Sequence, residues 1–447
     1  MRHVLRRTAR FAQASAQSFA RAQDGAGTIF GLFLLLSSVS VAGLALDIAN
    51  AYRVRTALQV AGDAAAHAAL VAREFNNPSV AKATALEVAN VHLPRAKYGD
   101  ALIEDDIVFG HWDAETEKFE PDEYAFDAVM VSTARAQERH NSVGTYLLRF
   151  AGVDALNIRG ITVFETYRPT CLEEGIVGEE EVVMQSGNYF TSGFCVHSND
   201  HATLSSGNTF EDRTIVSMPD RREIDLPASG MDSNEGLPEA LRDGSYFLRI
   251  VSRIDAIIAG VQDPDSKYYP DYIESSIPIN LDRNDKLDDT IFEEGHIYRI
   301  ECNNSKQQAA IHTGTVLSKV VIWTNCQIKF GADVVLQDTV FVNENTAVDS
   351  FSPASKLQIG KDDDCATGGD AQLVTRGGFS TSAQVALYGG QILAAGDISF
   401  QAEADGIEGA SIVSGGRVEG SSGATMGFCD GEGMENTFEA EYFRLAF

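Results

Sequence analysis

GAGTIFGLFLLLSSVSVAGLAL, residues 25–46, runs for twenty-two positions without a charged side chain, between Asp24 and Asp47. As a helix it is about 33 Å long at about 1.5 Å per residue, enough to cross a hydrocarbon core of about 30 Å. Arg2, Arg6, Arg7, Arg10 and Arg21 precede it, and no acid comes before Asp24. That asymmetry predicts a single-pass inner-membrane anchor with a cytoplasmic N-terminus and everything beyond Asp47 on the far side. A cleaved leader and a buried soluble helix are the rival readings. The leader has a basic start and the small residues Ala42, Gly43 and Ala45 in its favour. Against it, the apolar run exceeds a signal core of roughly 7–15 residues. The helical pattern also continues through DIANAYRVRTALQVAGDAAAHAALVA, 47–72, with no proline before Pro78.

Outward from the anchor, charge sets the next limit. The chain carries −29 overall, and its first 23 residues hold five arginines and no acid, so the remainder carries −34. Such a polyanionic body repels nucleic acid and anionic lipid surfaces. Six cysteines, at 171, 195, 302, 326, 365 and 429, all lie far beyond the anchor, which suits an oxidising periplasm or exterior. No CxxC is present and no Cys/His cluster has zinc spacing. Two separations are both 24 residues, 171 to 195 and 302 to 326. Sequential pairing (Cys171–Cys195, Cys302–Cys326, Cys365–Cys429) is the choice among the fifteen possible connectivities.

Four regions follow. Residues 1–23 are a basic tail, and 24–78 hold the membrane helix and its alanine-rich extension. Residues 79–170 combine a short helix at 79–92, ending before Pro94, with β-branched and aromatic runs in DDIVFGHWD, YAFDAVMVSTARA and NIRGITVFETYR. These runs predict a small antiparallel sheet, with 142–153 as a short helix or apolar crossover. From 171 to 447 the texture is short β-runs broken by glycine and asparagine. SGNYF at 186–190 returns as SGNTF at 206–210, which puts Phe190 and Phe210 in equivalent places. Runs such as KVVIWTN, VVLQDTVFVNE and QVALYGGQILAAGDISFQA carry no 3.6-residue period. This predicts a parallel β-solenoid, in which each coil buries its inner face only by stacking on the next. A β-sandwich or jelly roll is the alternative. With coils of about 20 residues and strands roughly 4.8 Å apart, the 24-residue pairs fall within disulfide reach. Cys365 and Cys429 lie about three coils apart, so their pairing needs a folded-back segment. Residues 235–262 have helical apolar spacing and predict a helix lying against the solenoid, followed by a loop over 263–290.

The N-terminal pattern resembles the TadE/TadG-like proteins of the tight-adherence (Flp-type) pilus system, a branch of the type IV pilus and type II secretion superfamily. The residues carrying the resemblance are Asp24 and Gly25, then Gly43 and Asp47 at the exit. Tyr52, Leu58, Gln59 and Asp63 with Ala64–Ala66 follow, and after them FGHWD, DAVMVSTAR and YLLRFAG. It spans about residues 20–168. The usual DAAALA is here DAAAHA, with His67 inside it, and the metal-binding DxSxS motif is absent. The resemblance implies an α+β pilin-like unit, association with pilus or secretion machinery, and possible self-association. The solenoid-like half lies outside it.

Candidate site residues are few. Asp47 can pair with another subunit's N-terminal amine or arginine, or simply end the span at the water interface. Asp24 has the same two readings, with helix capping favoured. Asp63 and His67, four apart, can touch on one helix face. Asp362, Asp363, Asp364 and Asp370 are weak calcium candidates, and Asp282, Asn284, Asp285, Asp288 and Asp289 begin like a calcium loop but lack its glycine and terminal glutamate. His197 and His201 read as turn or surface residues. No GxSxG, HExxH, P-loop or dinucleotide fingerprint occurs, and no catalytic residue, metal or cofactor is assigned. The expected function is a non-enzymatic, membrane-anchored pilus-assembly or secretion component, a minor subunit or scaffold with a body that is periplasmic or at the cell surface and able to serve adhesion. The alternatives are an anchored β-helix enzyme acting on polysaccharide and an envelope structural protein.

Overall fold

The computed structural model describes residues 25–447, so the arginine tail and Asp24 lie outside the described residues. The chain forms two compact units, residues up to Tyr167 together with Phe443–Phe447, and Arg168–Tyr442.

The first unit is built on one continuous helix, Ala26–Arg73. From Gly27 to Leu46 its first half is exposed except at Gly43, with Phe30, Phe33, Leu35 and Leu44 unpacked. Its second half presents Leu58, Ala61, Ala65, Ala66 and Ala69 as a buried stripe. Small side chains let a second helix, Pro78–His92, approach through Ala81, Ala85 and Ala89. Asn77 caps that helix by accepting the Val80 N–H at 3.1 Å, and Pro78 occupies a first-turn position where its missing N–H costs nothing. Against the stripe lies an antiparallel sheet of Lys118–Pro121, Ile107–Asp113, Ala128–Arg135 and Ile158–Tyr167, in that order. A fifth strand, Tyr442–Leu445, lies beside Ile158–Tyr167. Sequence placed all of 171–447 in the exported domain. The structure returns the last five residues to the first unit, where the Val163 N–H donates to the Phe447 carbonyl at 2.8 Å.

The second unit is a parallel β-solenoid, and the sandwich and jelly-roll alternatives fall away. A coil has three short strands: Gly175–Gly178, Glu181–Met184 and Tyr189–Phe190 make the first, and Cys195–Ser198, His201–Leu204 and Thr209–Phe210 the next. Val196 pairs with Ile176 below and Val216 above, a step of 20 residues each way. Phe190 and Phe210 stack with ring centroids 4.7 Å apart. Asn188, Asn208 and Asn234 form a buried ladder, in which the Asn208 side chain accepts from the Asn188 backbone and that of Asn234 from the Asn208 backbone.

The order of coils in space differs from their order in the chain. From Gly175 the stack climbs to Leu241–Asp243 and stops. The chain then runs to the opposite end and begins again at Ser275–Asp282. From there it climbs through His296–Glu301, Val316–Thr324, Val334–Asn343, Ala371–Thr375 and Phe379–Ala394 to Ile398–Ser414. That last strand pairs in parallel with the first: Ser411–Ser414 lie beside Gly175–Gly178, Val418–Gly420 beside Val182–Met184, and Thr425–Met426 beside Tyr189–Phe190. The solenoid is continuous in space but cut in its middle in sequence, so neither the first nor the last coil leaves this edge open.

The connection is a strap. It leaves one end where the Gly244 N–H donates to Met218 and arrives at the other where the Glu274 N–H donates to Gly295. Its Leu248, Ile250, Ile254, Ile257, Ile258 and Val261 pack on Val177, Val413, Leu393, Val374, Val342, Val321 and Ile297, which come from coil after coil. The helix expected over 235–262 reduces to Ile254–Gly260 and a single turn at Leu237–Ala240, with a strand at Leu241–Asp243 between them. The apolar residues there serve a face that runs along the solenoid, and that face has the repeat of the coils. Strands under the strap are buried on both sides, Ile176 inward and Val177 outward, which is why their sequence does not alternate.

Burial leaves a pH signature in this unit. Desolvation, opposed by N–H bonds from Cys429 and Gly431, raises the carboxyl of Glu174. Desolvation likewise raises Asp370 and Glu439, against the bonds from Asn436 and the charge of Arg168. A raised carboxyl contributes stability that is full below its unfolded value and is lost as pH rises through its folded value. Asp220, held down to about 2 chiefly by Arg222, is ionised throughout that window. His197, whose pKa burial lowers, acts in the opposite sense and loses stability as pH falls, so the carboxyl contribution is read from a variant: Glu439→Gln is expected to lose less stability than wild type between pH 4.5 and pH 7.5. Thermal melts in which the variant and wild type change equally between the two pH values contradict this account.

Candidate functional site

The residues that carried the sequence resemblance converge on the junction between the helix and its own sheet. Gly43 and Asp47 are one helical turn apart and face the 145–153 segment. The Asp47 carboxylate accepts three backbone N–H bonds, from Tyr146 at 2.5 Å, Leu147 at 2.9 Å and Leu148 at 2.7 Å. These amides open the single 3₁₀ turn Leu148–Ala151, whose free N–H groups favour an anion. A Cβ on Gly43 would sit 2.5 Å from the Leu147 Cβ, so only glycine lets the segment close on the helix. Asp47, nearly fully buried, thus spends its hydrogen-bonding capacity within its own chain. Within the chain its acceptor sites are taken by the local backbone at 146–148.

Three turns further on, Gln59, Asp63 and Thr162 form a second junction. The Gln59 amide donates to Asp63 Oδ1 at 3.0 Å and Thr162 Oγ1 at 2.9 Å, and the Thr162 hydroxyl donates to Asp63 at 2.7 Å. Gly62 lies against this group, where a Cβ would meet Thr162 Oγ1 at 3.1 Å. Leu58 is fully buried and its carbonyl accepts from Thr133 at 3.3 Å. The helix is therefore fastened to the sheet by a polar triad within an apolar contact. His67, expected beside Asp63, lies edge-on to Phe164 and Phe443, with ring centroids 5.9 and 5.8 Å away. Tyr52 stays exposed, lining a shallow groove of about 440 Å³ with Ile48, Arg55, Ile158 and Arg159. Gly25 precedes the helix as its N-cap and makes no side-chain bond there.

In the solenoid the calcium candidates do not meet. Asp370 turns inward and accepts from the Asn436 backbone and amide at 2.7 and 2.9 Å, while Asp363 pairs with Lys361 at 3.0 Å. Among the described residues, the group whose ligand atoms do lie close is Cys365, Glu408 and Cys429, and both of its sulfurs are joined in a disulfide. Asp282 caps a tight turn, accepting from the Asn284 backbone, and Asp288 pairs with Lys286. His197 is not at the surface. It is fully buried between Ser217 Oγ at 2.7 Å and Asn199 Oδ1 at 2.9 Å, and burial lowers its pKa. The disulfides are Cys171–Cys195, Cys302–Cys326 and Cys365–Cys429, with Cα atoms 4.9, 5.2 and 5.8 Å apart.

A family model described as a domain of unknown function (DUF7867) matches residues 175–430, well over half of the chain and nearly all of the solenoid. The chain belongs to the DUF7867 family. A second model, described as putative Flp pilus-assembly TadE/G-like, matches residues 25–74. No curated protein and no solved structure matches the chain. This DUF7867 chain therefore joins a TadE/G-like helix, long and apolar enough to cross a membrane, to a β-solenoid. The TadE/G-like match links it to Flp pilus assembly. The match ends just past Arg73, so it contains Gly43, Asp47, Gln59 and Asp63 but not the strands and turn they hold.

Proposed function

We propose that this protein is a non-enzymatic, membrane-anchored component of a Flp-type pilus-assembly or secretion apparatus. The helix crosses the inner membrane with its N-terminus cytoplasmic, and the solenoid stands outside as a scaffold or adhesion surface. The observation that carries the reading is the coincidence of the TadE/G-like match with the helix that Gly43, Asp47, Gln59 and Asp63 lock to the sheet. A helix fastened in this way passes force and orientation from a membrane segment to the sheet of its own unit without a flexible linker. Three disulfides support an oxidising compartment.

The test is a deletion strain complemented with wild-type protein or with Asp63→Ala, scored for pilus number by electron microscopy and for surface attachment. The deletion is expected to lose pili or attachment, wild type to restore them, and Asp63→Ala to restore them only in part despite normal membrane levels. Normal pili and attachment in the deletion strain overturn the proposal. Hydrolysis or elimination of a polysaccharide by purified protein, abolished in Asp370→Asn or Glu439→Gln, overturns its non-enzymatic part.

A further inference from the structure

We propose that residues 146–153 form a second membrane contact, a short loop that enters the headgroup region beside the helix on the same side as the folded body. The inference rests on the reading of 25–46 as a bilayer-crossing segment. Its starting point is position. Leu147 packs on Gly43, which lies inside the uncharged run, about 6 Å along the helix from Asp47 toward the membrane at about 1.5 Å per residue. The loop is therefore held level with the last turn of the span.

Its side chains fit that level. Tyr146 is 53 % exposed, Phe150 79 % and Val153 40 %, three groups left uncovered by the described residues of their own unit. The Arg149 guanidinium lies 5.4 Å from the Phe150 ring centroid, and a long cationic side chain over an aromatic ring can keep its charge at the water boundary. From Asn141 to Val153 the sequence holds no acid, in a body that otherwise carries a large negative charge. Insertion is thus driven by aromatic and apolar burial, and anionic lipid is not required.

The backbone fits as well. A non-helical segment near hydrocarbon is tolerated only when its polar groups are paired. Here the N–H groups of Tyr146, Leu147 and Leu148 go to Asp47, that of Phe150 to Leu147, that of Gly152 to Arg149 and that of Val153 to Leu148. The Thr145 hydroxyl closes the loop on the Val153 carbonyl at 2.6 Å. Asp47 neutralises three amides that would otherwise resist entry, which gives the clamp a role beyond holding the turn.

The described cysteines are all disulfide-bonded, so a single introduced thiol takes a nitroxide label cleanly. Full-length protein carrying Phe150→Cys, Val153→Cys, Phe33→Cys or Tyr124→Cys would be reconstituted in phosphatidylcholine vesicles. Collision with oxygen and with a neutral nickel chelate would then be compared by power saturation. Labels at 150 and 153 are expected to show an oxygen-to-nickel ratio well above that at 124 and approaching that at 33. A ratio at 150 and 153 equal to that at 124 overturns the loop insertion while leaving the anchor intact. Low collision with both reagents means that protein covers the loop, a second copy or another subunit, and also overturns it. A water-like ratio at Phe33 removes the anchor reading itself.

Discussion

Phe190→Ala is expected to lower the stability of the solenoid by about 4 kcal/mol, the range for emptying a fully buried aromatic site. Phe190 has no exposed surface and stacks on Phe210 from the coil above, with Phe194 at 5.9 Å. On its other side the register partner is Met426, which belongs to the last coil of the chain. The ring therefore fills the level at which the beginning and end of the solenoid meet. That seam is held by side-chain packing, the strand hydrogen bonds, the Glu174 carboxylate that accepts from Cys429 and Gly431, the Thr191 hydroxyl between Met426 and Phe428, and the Asn188 amide, which donates to the Ser421 carbonyl and accepts from the Ala424 N–H. A cavity there has no covalent connection across it to limit its spread. Denaturant unfolding measures the loss, and amide exchange should show protection falling first at 189–191 and 424–428. Tyr189→Ala, one residue away and partly exposed, is the matched control and should cost far less. Equal effects of the two substitutions would show that the seam is not where the solenoid's cooperativity resides.

Breaking Cys365–Cys429 through the double substitution Cys365→Ser with Cys429→Ser is expected to cost about 4 kcal/mol, against about 3 kcal/mol for either of the other bridges. The difference comes from loop length, since this bridge closes 64 residues and the others 24. Cys365 lies in the connection after Leu357–Gly360, and Cys429 follows Thr425–Gly427. Leu357 pairs with Val385, Leu387 with Ile407 and Ile407 with Met426, so the bridge crosses three coil steps. The 361–370 connection must climb the stack to make it. Melting the double variant beside wild type, without reductant, reads the cost directly. A shift no larger than that of Cys302→Ser with Cys326→Ser would mean that loop length does not set it.

Much of the architecture was legible because its causes are local. The uncharged run defines the span, the helical pattern over 79–92 gives the second helix, and the 20-residue return of SGNxF gives the length of the first coils and the Phe190–Phe210 stack. The 24-residue cysteine spacings have a related origin: Cys302–Cys326 spans one coil of 24 residues and Cys171–Cys195 one coil of 20 plus four. The Gly43, Asp47, Gln59 and Asp63 pattern was visible too, but its partners were not. Tyr146, Leu147 and Leu148 contribute through backbone N–H groups, which leave no mark in side-chain identity. Thr162 is an ordinary strand residue about one hundred positions away. The strap misled for a related reason. Its isoleucines at 250, 254, 257 and 258 have helix-like spacing, yet they answer to the rise of the coils beneath them and only seven residues are wound as an α-helix. His197 read as a surface residue because nothing local announces that Tyr246 of the strap packs over it at 4.5 Å.

By itself the sequence determined the elements: an apolar helix of bilayer length, a small antiparallel sheet, and a stack of short coils of about 20 residues. Those follow from composition and periodicity, which act over a few residues. Only the tertiary structure decided the order in which the coils stack, the closing of the first coil on the last, the return of the final strand to the first unit, and the intramolecular partner of Asp47. Parallel coils of similar sequence can pair with any neighbour of matching width. The choice rests on non-local terms, a strap long enough to reach the far end and a seam whose Asn188 and Phe190 find partners more than two hundred residues away.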